Sequence, residues 1–189
     1  AVDPTLMQQW ISELVKLDTE WVPSSAGTAL YIRPTLIATE GYLGVRPASR
    51  YLFFVITSPV GVYYAGGVKP VKIWVERQQT RAAPGGLGAV KAGANYAASL
   101  LAAQNAKNEG YDQVLWLDGA RHEQIEELGM MNFFAALGDE LVTPPLSDSI
   151  IPGVTRDCVI TLARESGLKV VERTLTITEL QQAHSRGAL

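Results

Sequence analysis

Sulfur and imidazole are scarce in this sequence. One cysteine, Cys158, and two histidines stand among 189 residues. A single thiol excludes an internal disulfide framework and suits a reducing compartment, so a cytoplasmic location is expected. So few histidines and cysteines leave little from which to build a zinc site, and no metal is expected. An uninterrupted apolar run of membrane-spanning length is also lacking, because residues 51–64 are broken by Thr57, Ser58, Pro59 and Gly61. The formal net charge of -3 leaves no basic footprint of the kind that phosphate backbones demand, and nucleic acid is not expected as a partner. An initiator methionine is missing too. The chain opens directly on an amphipathic pattern and runs out in a helix-like segment at Gly187, so a fragment with its flanks missing is expected.

With 47% apolar residues, the chain has ample material for a core. Leu6, Trp10, Leu14 and Leu17 recur at near-helical spacing and predict a helix over residues 4–18. TALYIRPTLIAT, YLFFVITSPV and VKPVKIWVE read as strands from their β-branched and aromatic content. A helix is predicted over residues 95–109, stopped by Gly110. QVLWLDGARHEQIEELG reads as two strands about Asp118-Gly119, and MNFFAALGDELVTPP as two more about Gly138-Asp139. After Pro152-Gly153 a helix is predicted to run to Gly167, with Val159, Leu162 and Ala163 inward. LKVVERTLTI is a predicted strand, and TELQQAHSR a closing helix with Thr178 as its N-cap. Hairpins interleaved with a few helices make an α+β fold with mixed sheets.

Charge is distributed oddly in one place. Between Arg81 and Lys107 the only charged side chain is Lys91, set among glycines, alanines and leucines. The ordinary arrangement for such a lysine is a stem on apolar surface with its head in water. The alternative is a desolvated amine, lowered in pKa and therefore nucleophilic toward carbonyls. Four glycines around it (Gly85, Gly86, Gly88 and Gly93) point to a close approach of backbone to something else.

In this order, KAGANYAASLLAAQ, QVLWLDG, QIEELGMMNFF, ELVTPPL, IIPGVTRD and VVERTLTI resemble the branched-chain amino acid aminotransferases. These are fold-type IV enzymes dependent on pyridoxal 5'-phosphate (PLP). TALYIRPTLIATE, YLGVRP and SPVGVYYAGG extend the resemblance into the first third. It implies an α+β, fold-type IV aminotransferase-like architecture, with mixed and antiparallel sheet, hairpins and packed helices. Residues 1–62 would be the end of a small N-terminal domain with an interdomain loop. Residues 63–189 would be the large PLP-binding domain, incomplete at its C-terminus.

The resemblance also implies roles. Lys91 would carry PLP as a Schiff base and move the proton in transamination. Tyr96 would bond the phenolic oxygen of PLP, and Glu127 would face the pyridine nitrogen. Val154 and Thr155 would hold the phosphate at a helix N-terminus. Glu126, on the opposite face of the same strand, is expected to be solvated. Tyr31, Arg33, Tyr63 and Met130 would line the substrate site, and Leu43 and Val45 would reach into the pocket of the second subunit of a homodimer. Substrates would be leucine, isoleucine and valine, with 2-oxoglutarate. D-amino acid aminotransferases and aminodeoxychorismate lyases share the fold and are the alternatives, although LYIRP and PVGVYY favour the branched-chain group. A catalytically incomplete fragment or pseudoenzyme is the alternative of another class. Ala94 replaces the second glycine of the family pair, and Met130 stands where threonine is common. The family's phosphate-binding arginine and its Ser-Gly-Thr-Ala loop have no counterpart in the chain.

Overall fold

The computed structural model describes residues 3–62, 67 and 69–189. They fall into two compact units, residues 1–69 and 70–189. The first unit opens with α1 (Pro4–Leu17), whose N-cap Asp3 accepts a hydrogen bond from Thr5 N at 2.9 Å and whose proline occupies the first turn. Two ten-residue strands follow, β1 (Ala29–Ala38) and β2 (Tyr51–Val60), paired antiparallel from Ala29↔Val60 to Ala38↔Tyr51. Trp10 of the helix stacks on Phe53 of β2 at 5.8 Å. Thr57 Oγ1 donates to Asp18 Oδ2 at 2.5 Å and ties the end of the helix to the same strand.

In the second unit, β3 (Ile73–Val75), β4 (Gln113–Leu117), β5 (Ile125–Leu128) and β6 (Met131–Asn132) form one sheet in that order. The β3/β4 pair is parallel and the others are antiparallel. The parallel crossover needs a long connection, and α2 (Gly93–Asn108) provides it. Alanine is the strongest helix former, and its small side chain lets the helix lie close to the sheet. Ala102 and Ala106 accordingly pack on Val114 and the fully buried Trp116 of β4. Gly110, at φ 79°, turns the chain out of the helix as expected. A second sheet holds β7 (Ala135–Leu137), β8 (Glu140–Thr143) and β9 (Lys169–Glu172), with α3 (Val154–Glu165) crossing between the parallel pair β8 and β9. The helix α4 (Ile177–Ser185) closes the unit. Leu115, Leu117, Ile125, Ala135, Leu175 and Ile177 share one core that joins both sheets to α4.

Both predicted hairpins form, with Gly138 at φ 60° in the second turn. Three local expectations fail. VKPVKIWVE yields only a three-residue strand, since Pro70 cannot donate to a ladder and Lys72 N is taken by the Asp112 carboxylate at 2.8 Å. In α3, Arg156, Ile160 and Ala163 face inward while Leu162 is exposed. Arg156 is admitted to that face because Glu172, at 2.8 Å, and the Pro144 carbonyl accept from it. The N-cap of α4 is Thr176, whose hydroxyl accepts from Glu179 N at 3.1 Å; Thr178 lies inside the first turn.

Candidate functional site

Lys91 sits in the turn immediately before α2. Its loop is pinned from two sides. Asn95, buried in the first turn of α2, donates to the carbonyls of Leu87 and Val90 at 2.7 and 3.0 Å. From the other side, Asp148 accepts from Gly85 N at 2.7 Å and from Ala89 N at 2.9 Å. Gly88 is what allows that approach. A β-carbon there would fall 2.5 Å from the Ser149 Cα and 2.7 Å from the Asp148 carbonyl oxygen. The glycine cluster around the lysine therefore has a packing reason. Of the two readings open for Lys91, the structure shows the ordinary one: its side chain is exposed.

Glu127 is the buried end of the site. It lies on β5 opposite Trp116 and Asn132, 2% exposed. Ile151 N donates to its Oε1 at 2.8 Å, Asn132 Nδ2 lies 3.5 Å from the same oxygen, and Arg81 Nη2 is 3.2 Å from Oε2. Burial pushes the Glu127 carboxyl up, opposed by the Ile151 N–H and the Arg81 guanidinium. Arg81, Asn95, Tyr96, Glu127, Met130 and Ile151 line one small pocket. Tyr96, Glu127 and Met130 are thus brought together. Lys91 does not line this pocket; it stands in the loop that Asn95 anchors.

Val154 and Thr155 open α3 as expected, after Gly153 in extended conformation at the N-cap. No side chain caps this end, and Val154 is 81% exposed. An uncapped helix of this length offers free N–H groups and a positive dipole end to an anion. The segment 151–153 connects it to the carboxylate. Ile151 N holds Glu127, the Ile151 carbonyl accepts from Asn132 at 2.8 Å, and Gly153 packs where a β-carbon would strike the Asn132 side chain. Carboxylate and helix end are therefore built into one continuous support. Its groups fit a ligand that is cationic at one end and anionic at the other.

Other expected site residues lie in the first unit. Tyr31 and Arg33 share one face of β1, where Arg33 Nη2 donates to the Tyr31 hydroxyl at 3.2 Å. Leu43 and Val45 lie between β1 and β2 and are fully exposed. Tyr63 lies outside the described residues. Ala94 is exposed, and its extra methyl enters a surface turn of α2.

One expectation is overturned. Glu126 is not solvated; it is 8% exposed, and the Ser149 hydroxyl donates to its Oε1. Alternation along β5 does send it away from Glu127, into the wall of a different cleft. The loop 147–151 covers that face, which no local pattern announces. Arg81, Asn95, Asn132 and Ser149 are the supporting residues with no motif of their own. The only mark on Arg81 is its place at the edge of the uncharged stretch.

The sequence pattern of the family described as amino-transferase class IV matches residues 1–186. The chain is 48% identical over 188 residues to branched-chain-amino-acid aminotransferase 2 of Bacillus subtilis (strain 168), covering 100% of this chain and 52% of that protein. It thus spans about half the length of the curated relatives it matches. Among solved structures, the branched-chain amino acid aminotransferase of Escherichia coli superposes with a TM-score of 0.76 at 29% identity, over 94% of this chain and 57% of that one. The Thermobaculum terrenum branched-chain aminotransferase in its PLP form gives 0.66 at 29% identity, over 79% and 48%. The α+β fold with mixed sheets is that of these neighbours.

Proposed function

The chain belongs to the class IV amino-transferases, and from that premise we propose that it carries the PLP-binding part of a branched-chain amino acid aminotransferase. The observation that carries the reading is the buried Glu127, set between Arg81 and the Ile151 N–H on the floor of a pocket walled by Tyr96. A carboxylate so placed favours a protonated pyridine nitrogen beside it. When bound, PLP supplies the electron sink that makes the substrate Cα–H acidic.

The chain's own residues do the rest. Lys91 would hold the cofactor through its amine and would take the proton from the substrate Cα. Asn95 and Asp148 keep its loop in place. Tyr96 would bond the phenolic oxygen, and the N–H groups of Val154 and Thr155 would hold the phosphate. By the resemblance, Tyr31, Arg33, Tyr63 and Met130 would serve the substrate. The substrates would be leucine, isoleucine and valine, with 2-oxoglutarate as acceptor, as the resemblance implies. The protein works in the cytoplasm as a homodimer.

The test is the visible absorbance of purified protein mixed with PLP, before and after Lys91→Ala. Wild type is expected to hold the colour through dialysis and to turn over L-leucine with 2-oxoglutarate. The variant should lose both while keeping its tryptophan fluorescence. Colourless wild type, a variant that retains the colour, or turnover of D-alanine alone would sink the reading.

A further inference from the structure

Glu126 has no part in the chemistry above, yet it is among the most buried charged residues of the chain. Two adjacent carboxylates, Glu126 and Glu127, are shut in beside one guanidinium. Arg81 is committed. Its Nη2 lies 3.2 Å from Glu127 Oε2 and donates to the Ser149 carbonyl. Glu126 keeps only a hydroxyl, that of Ser149, at Oε1, and its Oε2 is buried with no partner among the described residues. An ionised carboxylate in such surroundings is far more costly than a neutral acid.

We propose that Glu126 is a positioning residue that holds a proton in the folded protein, leaving the single negative charge of the pair on Glu127. The neutral acid fastens the loop 147–151. That loop in turn presents the Ser149 carbonyl to Arg81 and the Ile151 N–H to Glu127. Glu126 thereby holds the partners of Glu127 without competing for Arg81. A route for the proton exists: Ser149 Oγ lies 3.0 Å from Ser147 Oγ, and both serines line an open cleft of about 500 Å3. The charged groups facing Glu126 are Arg81 and Asp118, just after β4; its neighbour Glu127 points to the opposite face of β5, and Arg121 and Asp148 line the cleft beyond. Burial is the first cause that pushes the Glu126 carboxyl up; Ser149 and Arg81 oppose it and Asp118 adds to it.

The role toward Glu127 rests on the proposed function, whereas the proton does not, and two measurements separate them. The first is infrared spectroscopy of the protein without PLP at pH 7. The carbonyl stretch of a protonated carboxylic acid is expected in wild type and in Glu127→Gln, and should be absent in Glu126→Gln. The second is PLP affinity of three proteins. Glu126→Gln, a neutral group of the same shape, should bind as wild type does, and Glu126→Leu, which drops the Ser149 bond, should bind at least tenfold more weakly, about one pKa unit's worth of interaction. Absence of the protonated band in wild type overturns the proposal even if PLP binds. So does a Glu126→Gln variant that fails as Glu126→Leu does. A wild type that carries the band but binds no PLP would overturn the proposed function and the positioning role, and leave the buried proton established.

Discussion

Replacing Arg81 by methionine keeps most of its volume and removes the one cation inside the carboxylate pair. The guanidinium is almost fully enclosed, with side-chain exposure of 6%, and Glu127 is at 3%. Water cannot take over its role. Glu127 must then stay charged with only the Ile151 N–H and Asn132 beside it, or take up a proton. The second course limits the loss. The unfolded value is 4.5, so protonation at pH 7 costs about 3.4 kcal/mol at about 1.36 kcal/mol per unit, an upper bound on the difference from wild type because burial already pushes this carboxyl up there. Breaking a buried pair by removing one partner typically costs about 3–5 kcal/mol, in agreement. The Ser149 carbonyl also loses its donor, which adds about 1 kcal/mol.

The sign with pH follows from proton linkage. In the variant the folded state binds a proton that the unfolded state releases above pH 4.5, so the variant loses stability as pH rises. Urea unfolding followed by tryptophan fluorescence at pH 5 and pH 7 measures this. Arg81→Met should fall below wild type by up to about 4 kcal/mol at pH 7 and by less, at most about 2 kcal/mol, at pH 5. A deficit of the same size at both pH values would show that Arg81 acts through packing, and the electrostatic reasoning would be wrong.

Asp118→Ala tests the loop between β4 and β5. Burial pushes the Asp118 carboxyl up, but the N–H groups of Gln124, Arg121, Glu123 and Ala120 outweigh it, and the net shift is downward. Removing the acceptor should cost about 2–4 kcal/mol at pH 7. The contribution is present above the unfolded value of 3.8 and is lost as pH falls through the lower folded value; a loss that persists undiminished in acid would contradict this. Leu43→Asp tests the homodimer. The side chain is 98% exposed in the chain, so folding should be untouched while sedimentation shifts from dimer toward monomer; an unchanged dimer would remove Leu43 from the interface.

Much of the fold was legible because its signals are local. The Gly-Asp turn, Gly110 after α2 and Pro152-Gly153 before α3 depend on backbone preferences that travel with the residue, whereas in the loop between β4 and β5 His122, at φ 53°, and not Gly119 takes the left-handed conformation. The failures came where two local solutions competed or a distant partner intervened. Thr176 and Thr178 are equally good caps in isolation, and the bridge Gln124↔Thr176 favours the first by fixing the chain just before the helix. Leu162 looks like core, yet Glu172 makes it possible for Arg156 to lie inward and rotates the buried stripe of α3.

The candidate site divides along the same line. Lys91 in its uncharged surroundings, the Glu126-Glu127 doublet and the glycine before α3 are visible in the sequence, because chemistry-bearing residue types stand there in a recognisable order. Strand alternation alone places the two glutamates on opposite faces of β5. What covers each face is another matter. Segments far apart in sequence, Arg81 from before the lysine loop and Ser149 with Ile151 from before α3, close over the pair and decide that both are buried. Tertiary structure also decided between the two readings of Lys91. Its neighbours in sequence are apolar, but exposure depends on which surfaces meet in space, and the glycines serve the packing of Gly88 on Ser149 while the amine stays in water. Sequence determines conformational preference and reactive type; the cost of burying a charge depends on the groups that folding brings beside it.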